Sequence, residues 1–333
     1  MTLGYTFHDH LPADFADRSL REDVLAGLTA AEPWLPPKWF YDKVGSELFE
    51  DITRLPEYYP TRTERSILAE HAPEIVALAG TRTLVELGSG SSDKTRLLLD
   101  AMSTTGPHTP RTGEVRPAGY VALDVSEDAL RLACAGLVAR YPELRIEAVR
   151  ADFTHQLDVL PDGAGRTVAF LGSTIGNFEP RQRAAFLLAL RDRLRPGDHF
   201  LLGADLVKSS QVLLPAYDDA AGVTAAFNLN VLEVLNRRLG ADFARSDFRH
   251  VAIWDPAREW IEMRLRATRE VTARIDDVGL DVHLAAGAEI RTEISAKFRR
   301  DRLTEELTGA GFTGCGWWTD DQGWFSLSLW GVR

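Results

Sequence analysis

The sequence predicts an α/β protein: a Rossmann-like, mostly parallel sheet interrupted by an inserted second α+β unit. Three observations carry that reading. From residue 83, short apolar runs alternate with helical stretches, the pattern of a parallel sheet with helices on both faces. A glycine-rich turn, LGSGSS at 87–92, joins the first of these strands to its helix. The alternation stops after residue 207, and the chain ends in one helix and a β-hairpin.

The elements follow in order. The first 30 residues hold one short amphipathic helix, around Leu20 to Leu28. PWLPPKWFYD then breaks the chain with three prolines and exposes several aromatics. ELFEDITRL reads as a helix, and so does TRTERSILAEHAPEIVALAG, whose start carries a threonine cap signal. TLVEL, GYVALDVS, LRIEAVRADF, TVAFLGST and HFLLGADLV read as five strands. DKTRLLLDAM, EDALRLACAGLVARYP and PRQRAAFLLALRDRL read as helices among them. The stretch 103–119 is a polar Gly/Pro loop expected at the surface. Beyond 207 come an apolar helix, AGVTAAFNLNVLEVLNRRL, and alternating runs such as WIEMRLRATREV, which predict antiparallel strands. RDRLTEELTGAGF is the last helix, and TGCGWWTD and GWFSLSLWGVR are two strands joined across DDQG.

Five parallel strands, a helix and a terminal hairpin make the layout of class I methyltransferases. Here about ninety residues separate the fifth strand from the final helix, so an insertion is the economical reading. The expected division is 63–207 with 298–333 as the cofactor domain, and 1–62 with 208–297 as the substrate domain. The second unit is expected over the carboxyl ends of the strands, where open α/β sheets bind ligands.

Composition narrows the function. The formal net charge is −11, which argues against a nucleic-acid groove lined by Lys and Arg. It points weakly to a small-molecule substrate, although acidity for solubility alone explains it equally. Two cysteines, Cys134 and Cys315, sit in apolar stretches without a CxxC partner, which suggests a reducing compartment. The eight histidines are scattered, so no metal is expected. No basic–apolar leader opens the sequence and no apolar run approaches ~20 residues, so a cytoplasmic protein without membrane contact is expected.

The glycine loop nearly fits three nucleotide motifs. A P-loop needs glycine before its lysine, and Asp93 stands there before Lys94. A dinucleotide loop needs a third glycine, and Asp93 stands there too. S-adenosylmethionine brings no pyrophosphate and needs only an acid and two close glycines, as in Glu86, Gly88, Ser89 and Gly90. Asp124 ends the second strand, where a carboxylate can take both ribose hydroxyls. Asp152 and Phe153 end the third, where an acid can accept the adenine amino group and a ring can cover its face. Each acid alone could equally cap a helix; the set in order points to S-adenosylmethionine. Lys94 can reach the cofactor carboxylate or lie on the helix surface.

Five separated motifs then agree in order: LPPKWFYDKVGSELFEDITRLPEYYPTRTE, VELGSGSSDKTR, FLGSTIGNF, AYDDAAGVTAAFN and TEISAKF. Together they resemble the L-histidine Nα-methyltransferase family of ergothioneine biosynthesis. The match runs over nearly all the chain from about residue 20, without help from the first twenty residues or the 103–119 loop. The resemblance implies three successive methyl transfers to the α-amino group of L-histidine, giving hercynine.

Its site residues are expected as follows. FLGSTIGNF follows the fourth strand, where amine methyltransferases place the acceptor, so Gly172, Thr174 and Asn177 line that turn. The Asn177 amide can donate to a carboxylate and accept from an amine, or it is simply a left-handed turn residue. Tyr217 resembles the family's carboxylate-binding tyrosine; an interface tyrosine is the alternative. Period two puts Glu293 and Ser295 on one face of a strand, which by spacing alone reads as the wet face of an edge strand. The resemblance instead makes them the pair that reads the imidazole ring. Tyr58 completes that pocket by resemblance, Phe49 and Met263 supply its apolar walls or only pack the core, and Tyr41 flanks the cofactor.

The chemistry expected is in-line methyl transfer from sulfonium to nitrogen, with the protein positioning and desolvating. No dedicated base stands out, so the amine proton is expected to leave to water past Thr174 and the Gly172 carbonyl. A monomer is compatible with this reading. Two rivals stay open: methylation of another amino acid or aromatic amine, such as a tryptophan or tyrosine derivative, and a non-catalytic cofactor-binding protein.

Overall fold

A computed structural model describes residues 4–90, 92, 94–105 and 119–332. Asp93 and nearly all of the 103–119 loop, on which expectations were placed, lie outside them.

Eight strands form the main sheet: β1 Thr6–Asp9, β2 Thr83–Leu87, β3 Gly119–Asp124, β4 Arg145–Arg150, β5 Arg166–Phe170, β6 His199–Asp205, β12 Thr313–Thr319 and β13 Phe325–Gly331. Their order is β1-β4-β3-β2-β5-β6-β13-β12. The first six run parallel, and β13 returns antiparallel beside β6. Along β2, Leu84 packs into a cluster on one face while Val85 and Leu87 pack into the cluster on the other. That two-sided burial is why the strand reads as continuously apolar. The helices α3 Pro60–Ala79, α4 Thr95–Thr105, α5 Glu127–Arg140, α6 Pro180–Arg193 and α9 Arg300–Gly309 accompany the sheet.

A third hydrophobic cluster draws all its buried members from 20–59 and 213–290. It gathers α1 Phe15–Leu28, α2 Lys43–Arg54, α7 Ser210–Tyr217 and α8 Val223–Leu239 with the three antiparallel strands β7 Phe248–Asp255, β8 Trp260–Ala267 and β11 Glu289–Ala296. A hairpin, β9 Val271–Ile275 with β10 Leu280–Leu284, completes it. The outgoing and returning connections run side by side. Phe298 N donates to Asp205 O at 2.8 Å, and Val207 N donates to Phe298 O at 3.0 Å.

The structure differs from the sequence reading in several places. β1 joins the main sheet beside β4, although four residues, TFHD, are too few and too polar to carry a strand signal. The helix α3 starts at Pro60, after Tyr59, and not at a threonine cap; proline at the first helical position supplies the start, and the helix runs unbroken past 62–63. Trp39 and Phe40 are buried rather than exposed, because the proline turn folds them against α8, where Phe40 meets Phe227 at 4.7 Å between ring centroids. Cys315 is exposed: a β-bulge between Gly314 and Gly316 turns it away from the core, while Cys134 is buried.

Candidate active site

The cofactor side begins at the glycine loop. Gly88 and Gly90 hold left-handed conformations, φ 69° and 49°, which a side chain would strain. Nothing lies within 4 Å of where a Cβ on Gly90 would stand, so the loop borders open space. The Ser89 hydroxyl is buried and has no hydrogen-bond partner among the described residues. An orphaned hydroxyl in an open glycine cradle awaits a polar ligand. Asp124 accepts from Gly90 N at 3.2 Å and from Ser126 N at 3.0 Å, one bond per oxygen, and each oxygen keeps a lone pair for a ribose hydroxyl. Phe153 lies 3.6 Å from the Cβ position of Gly88 and covers the loop. Asp152 is engaged by its own turn, accepting from Thr154 and His155. These residues fit S-adenosylmethionine.

Glu86 ties the loop's two ends together. Its Oε2 accepts from Thr95 Oγ1 at 2.5 Å and from Tyr120 at 2.6 Å. Burial raises its pKa from 4.5 to about 7 against the pull of those two bonds.

Lys94 is not a surface lysine. It pairs with Glu64, a fully buried carboxylate on α3. Glu64 also accepts from Gly172 N at 2.8 Å. Gly203 makes room for it, since a Cβ there would stand 2.1 Å from Glu64 Oε1. One carboxylate thus joins the cofactor loop to the acceptor turn after β5. Sequence reading missed it; the signal was an acid inside the apolar spacing of α3.

The acceptor turn is a 3-10 segment, Thr174–Asn177. Ser173, not Asn177, takes the left-handed conformation, at φ 58°. The Asn177 amide makes no hydrogen bond among the described residues and is half-buried, so it is free for a ligand. Thr174 Oγ1 donates to Leu171 O at 3.0 Å, which leaves its lone pairs open. The turn packs on β11 because Gly176 lacks a side chain: a Cβ there would meet Ala296 O at 2.8 Å.

β11 is an edge strand, yet its faces are not wet. Glu293 is half-buried, Ser295 is buried, and Ile294 and Ala296 pack into the sheet core. Glu293 pairs across strands with Met263, so both side chains share a face. Burial pushes the Glu293 carboxyl up to about 7, partly offset by Lys297. Tyr41, Phe49, Tyr58 and Phe227 form a ring cluster beside it, with Tyr41–Phe49 at 5.5 Å and Phe49–Tyr58 at 6.2 Å. Of these, Phe227 was not anticipated; it sits in the quoted AFN motif as one more apolar helix position.

Tyr217 exchanges a hydrogen bond with Ser295 at 2.8 Å. Burial, with the Asp205 and Glu293 carboxylates, holds its phenol well above the ordinary value, so it keeps its proton and can donate. Behind the pair lies a network that sequence reading missed. Lys297, 3% exposed, donates to Tyr217 at 2.7 Å and to Ser295 at 2.8 Å, and pairs with Asp205 at 2.9 Å. Asp205 also receives Lys208 and, at 2.8 Å, the Tyr59 hydroxyl. The one sequence signal was a lysine inside the apolar run of TEISAKF.

These contacts tie many of the residues anticipated from sequence into small groups. Asp124 and Phe153 lie against the glycines of the loop, Glu86 ties β2 to α4, and Lys94 meets Glu64 beside Gly172. Tyr41, Phe49 and Tyr58 meet in one ring cluster, Met263 pairs with Glu293, and Tyr217 bonds Ser295. Asp152 is held within its own turn, and Thr174 and Asn177 lie on the turn after β5.

A family model described as histidine-specific, SAM-dependent methyltransferase matches residues 20–332. The chain is 54% identical to the histidine N-alpha-methyltransferase of Mycolicibacterium smegmatis over 99% of both chains. It is 48% identical to that of Mycobacterium tuberculosis, over 96% of this chain and 97% of the relative. Ergothioneine biosynthesis protein 1 of Neurospora crassa is 32% identical over 69% of this chain, which corresponds to 27% of that protein.

Proposed function

The chain belongs to the SAM-dependent, histidine-specific methyltransferases, and on that premise we propose that it trimethylates the α-amino nitrogen of L-histidine to hercynine, opening ergothioneine biosynthesis. One observation carries the substrate reading. On β11 a carboxyl whose pKa burial raises, Glu293, stands two residues from Ser295, whose buried hydroxyl bonds Tyr217, and the turn that carries the free amide of Asn177 packs on the same strand at Ala296.

When bound, S-adenosylmethionine supplies an electrophilic methyl group on a sulfonium. The protein's part is placement. Glu293 accepts the imidazole N–H, and Ser295 donates to the other ring nitrogen. Tyr217 and Asn177 hold the carboxylate. Tyr58, Phe49 and Met263 close the ring pocket and Tyr41 flanks the methyl path. The anchors grip the ring and carboxylate rather than the amine, so the nitrogen can gain methyl groups without losing its hold. Among the described residues no side chain is assigned as a base for the amine. Its proton leaves to water past Thr174 and the Gly172 carbonyl.

We further read 63–207 with 298–333 as the cofactor unit and 208–297 with most of 1–62 as the substrate unit, with the correction that β1 belongs to the cofactor sheet and α3 spans the 62–63 boundary. The separate hydrophobic cluster drawn from 20–59 and 213–290 supports this. The two unpaired cysteines suit a protein acting in the reducing cytoplasm on a free small molecule. No helix among the described residues is long and apolar enough to cross a membrane.

Tryptophan is disfavoured, since an indole has an N–H donor and no acceptor to meet a donating hydroxyl, and a tyrosine derivative carries its donor and acceptor on one oxygen rather than at two ring positions. The test is to incubate the protein with S-adenosylmethionine and each of the twenty amino acids and follow products by mass spectrometry. Histidine should gain one, two and then three methyl groups. Turnover of another amino acid ahead of histidine overturns the reading. Cofactor binding without any turnover makes the protein a binding partner only.

A further inference from the structure

The pocket hydroxyls of Tyr217 and Ser295 do not stand alone. Each accepts a hydrogen bond from the same buried ammonium, Lys297, at 2.7 and 2.8 Å. The third N–H of that ammonium faces Asp205, 2.9 Å away. An ammonium has three donors and no acceptor. All three are consumed on the protein side, so Lys297 has nothing left for a ligand. Its effect is on the hydroxyls. Each gives up an oxygen lone pair to Lys297, and the bond between them uses one of their two hydrogens. The remaining hydrogen must point away from Lys297 and is left for a ligand. When a ligand separates the pair, both hydrogens turn to it.

We propose that Lys297 is a positioning residue that sets the polarity of the substrate pocket: by occupying one acceptor lone pair on each of Tyr217 and Ser295, it biases both hydroxyls to act as donors. The proposal rests on the histidine reading above. With both hydroxyls held as donors beside the Glu293 acceptor, the pocket reads a neutral imidazole, with one N–H and one bare nitrogen, next to a carboxylate. Without Lys297, either hydroxyl can turn and present its oxygen to the carboxylate or the bare nitrogen, where it repels. Asp205 keeps the ammonium from being an unpaired buried charge. Lys208 and Tyr59 keep Asp205 occupied whether or not Lys297 is present.

Lys297→Met keeps the stem and removes the donors. Histidine and histamine, which lacks the carboxylate, are titrated by calorimetry into parent and variant in the presence of S-adenosylhomocysteine, alongside kcat and KM for histidine. Histidine Kd should rise roughly tenfold or more, the size of one lost charged hydrogen bond. Histamine should weaken less, so the histidine-to-histamine preference shrinks. The Kd of S-adenosylhomocysteine should hold within about twofold. In a Tyr217→Phe, Ser295→Ala background, adding Lys297→Met should cause little further loss. Equal weakening of both ligands, or an undiminished loss in that background, makes Lys297 merely structural and overturns the proposal. Should the methionine variant fail to fold, Lys297→Gln puts an uncharged amide, with an acceptor oxygen as well as N–H donors, on a shorter stem that cannot bond both hydroxyls and Asp205 as the ammonium does, and an unchanged histidine Kd there overturns the proposal as well. A parent that binds and methylates no histidine overturns the histidine reading itself, and this proposal with it.

Discussion

Burial lifts the Glu293 carboxyl to about 7 before any ligand arrives. Two predictions follow from that one group. Glu293→Ala leaves a ring N–H buried without an acceptor, and sites built to hydrogen-bond a ligand reject poorly once the bond is gone. Activity as kcat/KM for histidine should fall by roughly one to two powers of ten, since ~1.4 kcal/mol is tenfold. The ratio of histidine to tryptophan activity should fall with it; an unchanged ratio would show that Glu293 is only a strand residue. The pH dependence is the second. Below about 7 the free site holds a neutral carboxyl, so histidine KM should drop as pH rises through about 7 in the parent. Glu293→Gln should lack that step, and a persistent step would assign it to another group.

At the scale of the element, two junctions shape the site. The turn Thr174–Asn177 lies on β11 only because position 176 is glycine, and the obstacle to a side chain there is backbone at 2.8 Å, which cannot swing aside. Gly176→Ala should push Asn177 away from Glu293 and Ser295, costing about 1–3 kcal/mol of stability as overpacking does. Histidine KM should rise while cofactor affinity, measured by calorimetry, stays close to the parent's. The second junction joins β2 to α4 through Glu86. Its folded pKa of about 7 exceeds the unfolded 4.5, so the folded state holds a proton that the unfolded state has released between those values. The stability tied to Glu86 is therefore full below 4.5 and is lost as pH rises through about 7. Urea midpoints should decline across that window more steeply in the parent than in Glu86→Gln. Parallel profiles would show that the carboxyl is ionised throughout.

For the whole molecule, the decisive place is the crossing where the chain leaves β6 and returns from β11. Asp205 sits there, 1% exposed, between Lys208, Lys297 and Tyr59. Removing one partner of a buried ion pair leaves the other charge uncompensated, at about 3–5 kcal/mol. Asp205→Ala strands two ammoniums, so the urea midpoint should fall by at least that equivalent, and histidine binding should weaken as Lys297 loses its anchor. A midpoint near the parent's would mean that water reaches the crossing and the network is not structural.

The sequence by itself determined the winding of the sheet, the glycine loop and the acids at the ends of β3 and β4. These signals are local: strand and helix periods, and spacings of a few residues, survive in one dimension. With the family motifs it also named Glu293, Ser295, Asn177 and Tyr217. Only the tertiary structure decided what those groups can do. Glu293 looked like the wet face of an edge strand by spacing, and burial made it a carboxyl poised near neutrality. Tyr217 meets Ser295 across 78 positions, Lys297 meets Tyr217 across 80, and Tyr59 meets Asp205 across 146. No periodicity encodes such pairings. A buried charge is stable only where distant segments bring its partner, so Glu64, Asp205 and Lys297 acquire their roles when the chain closes on itself.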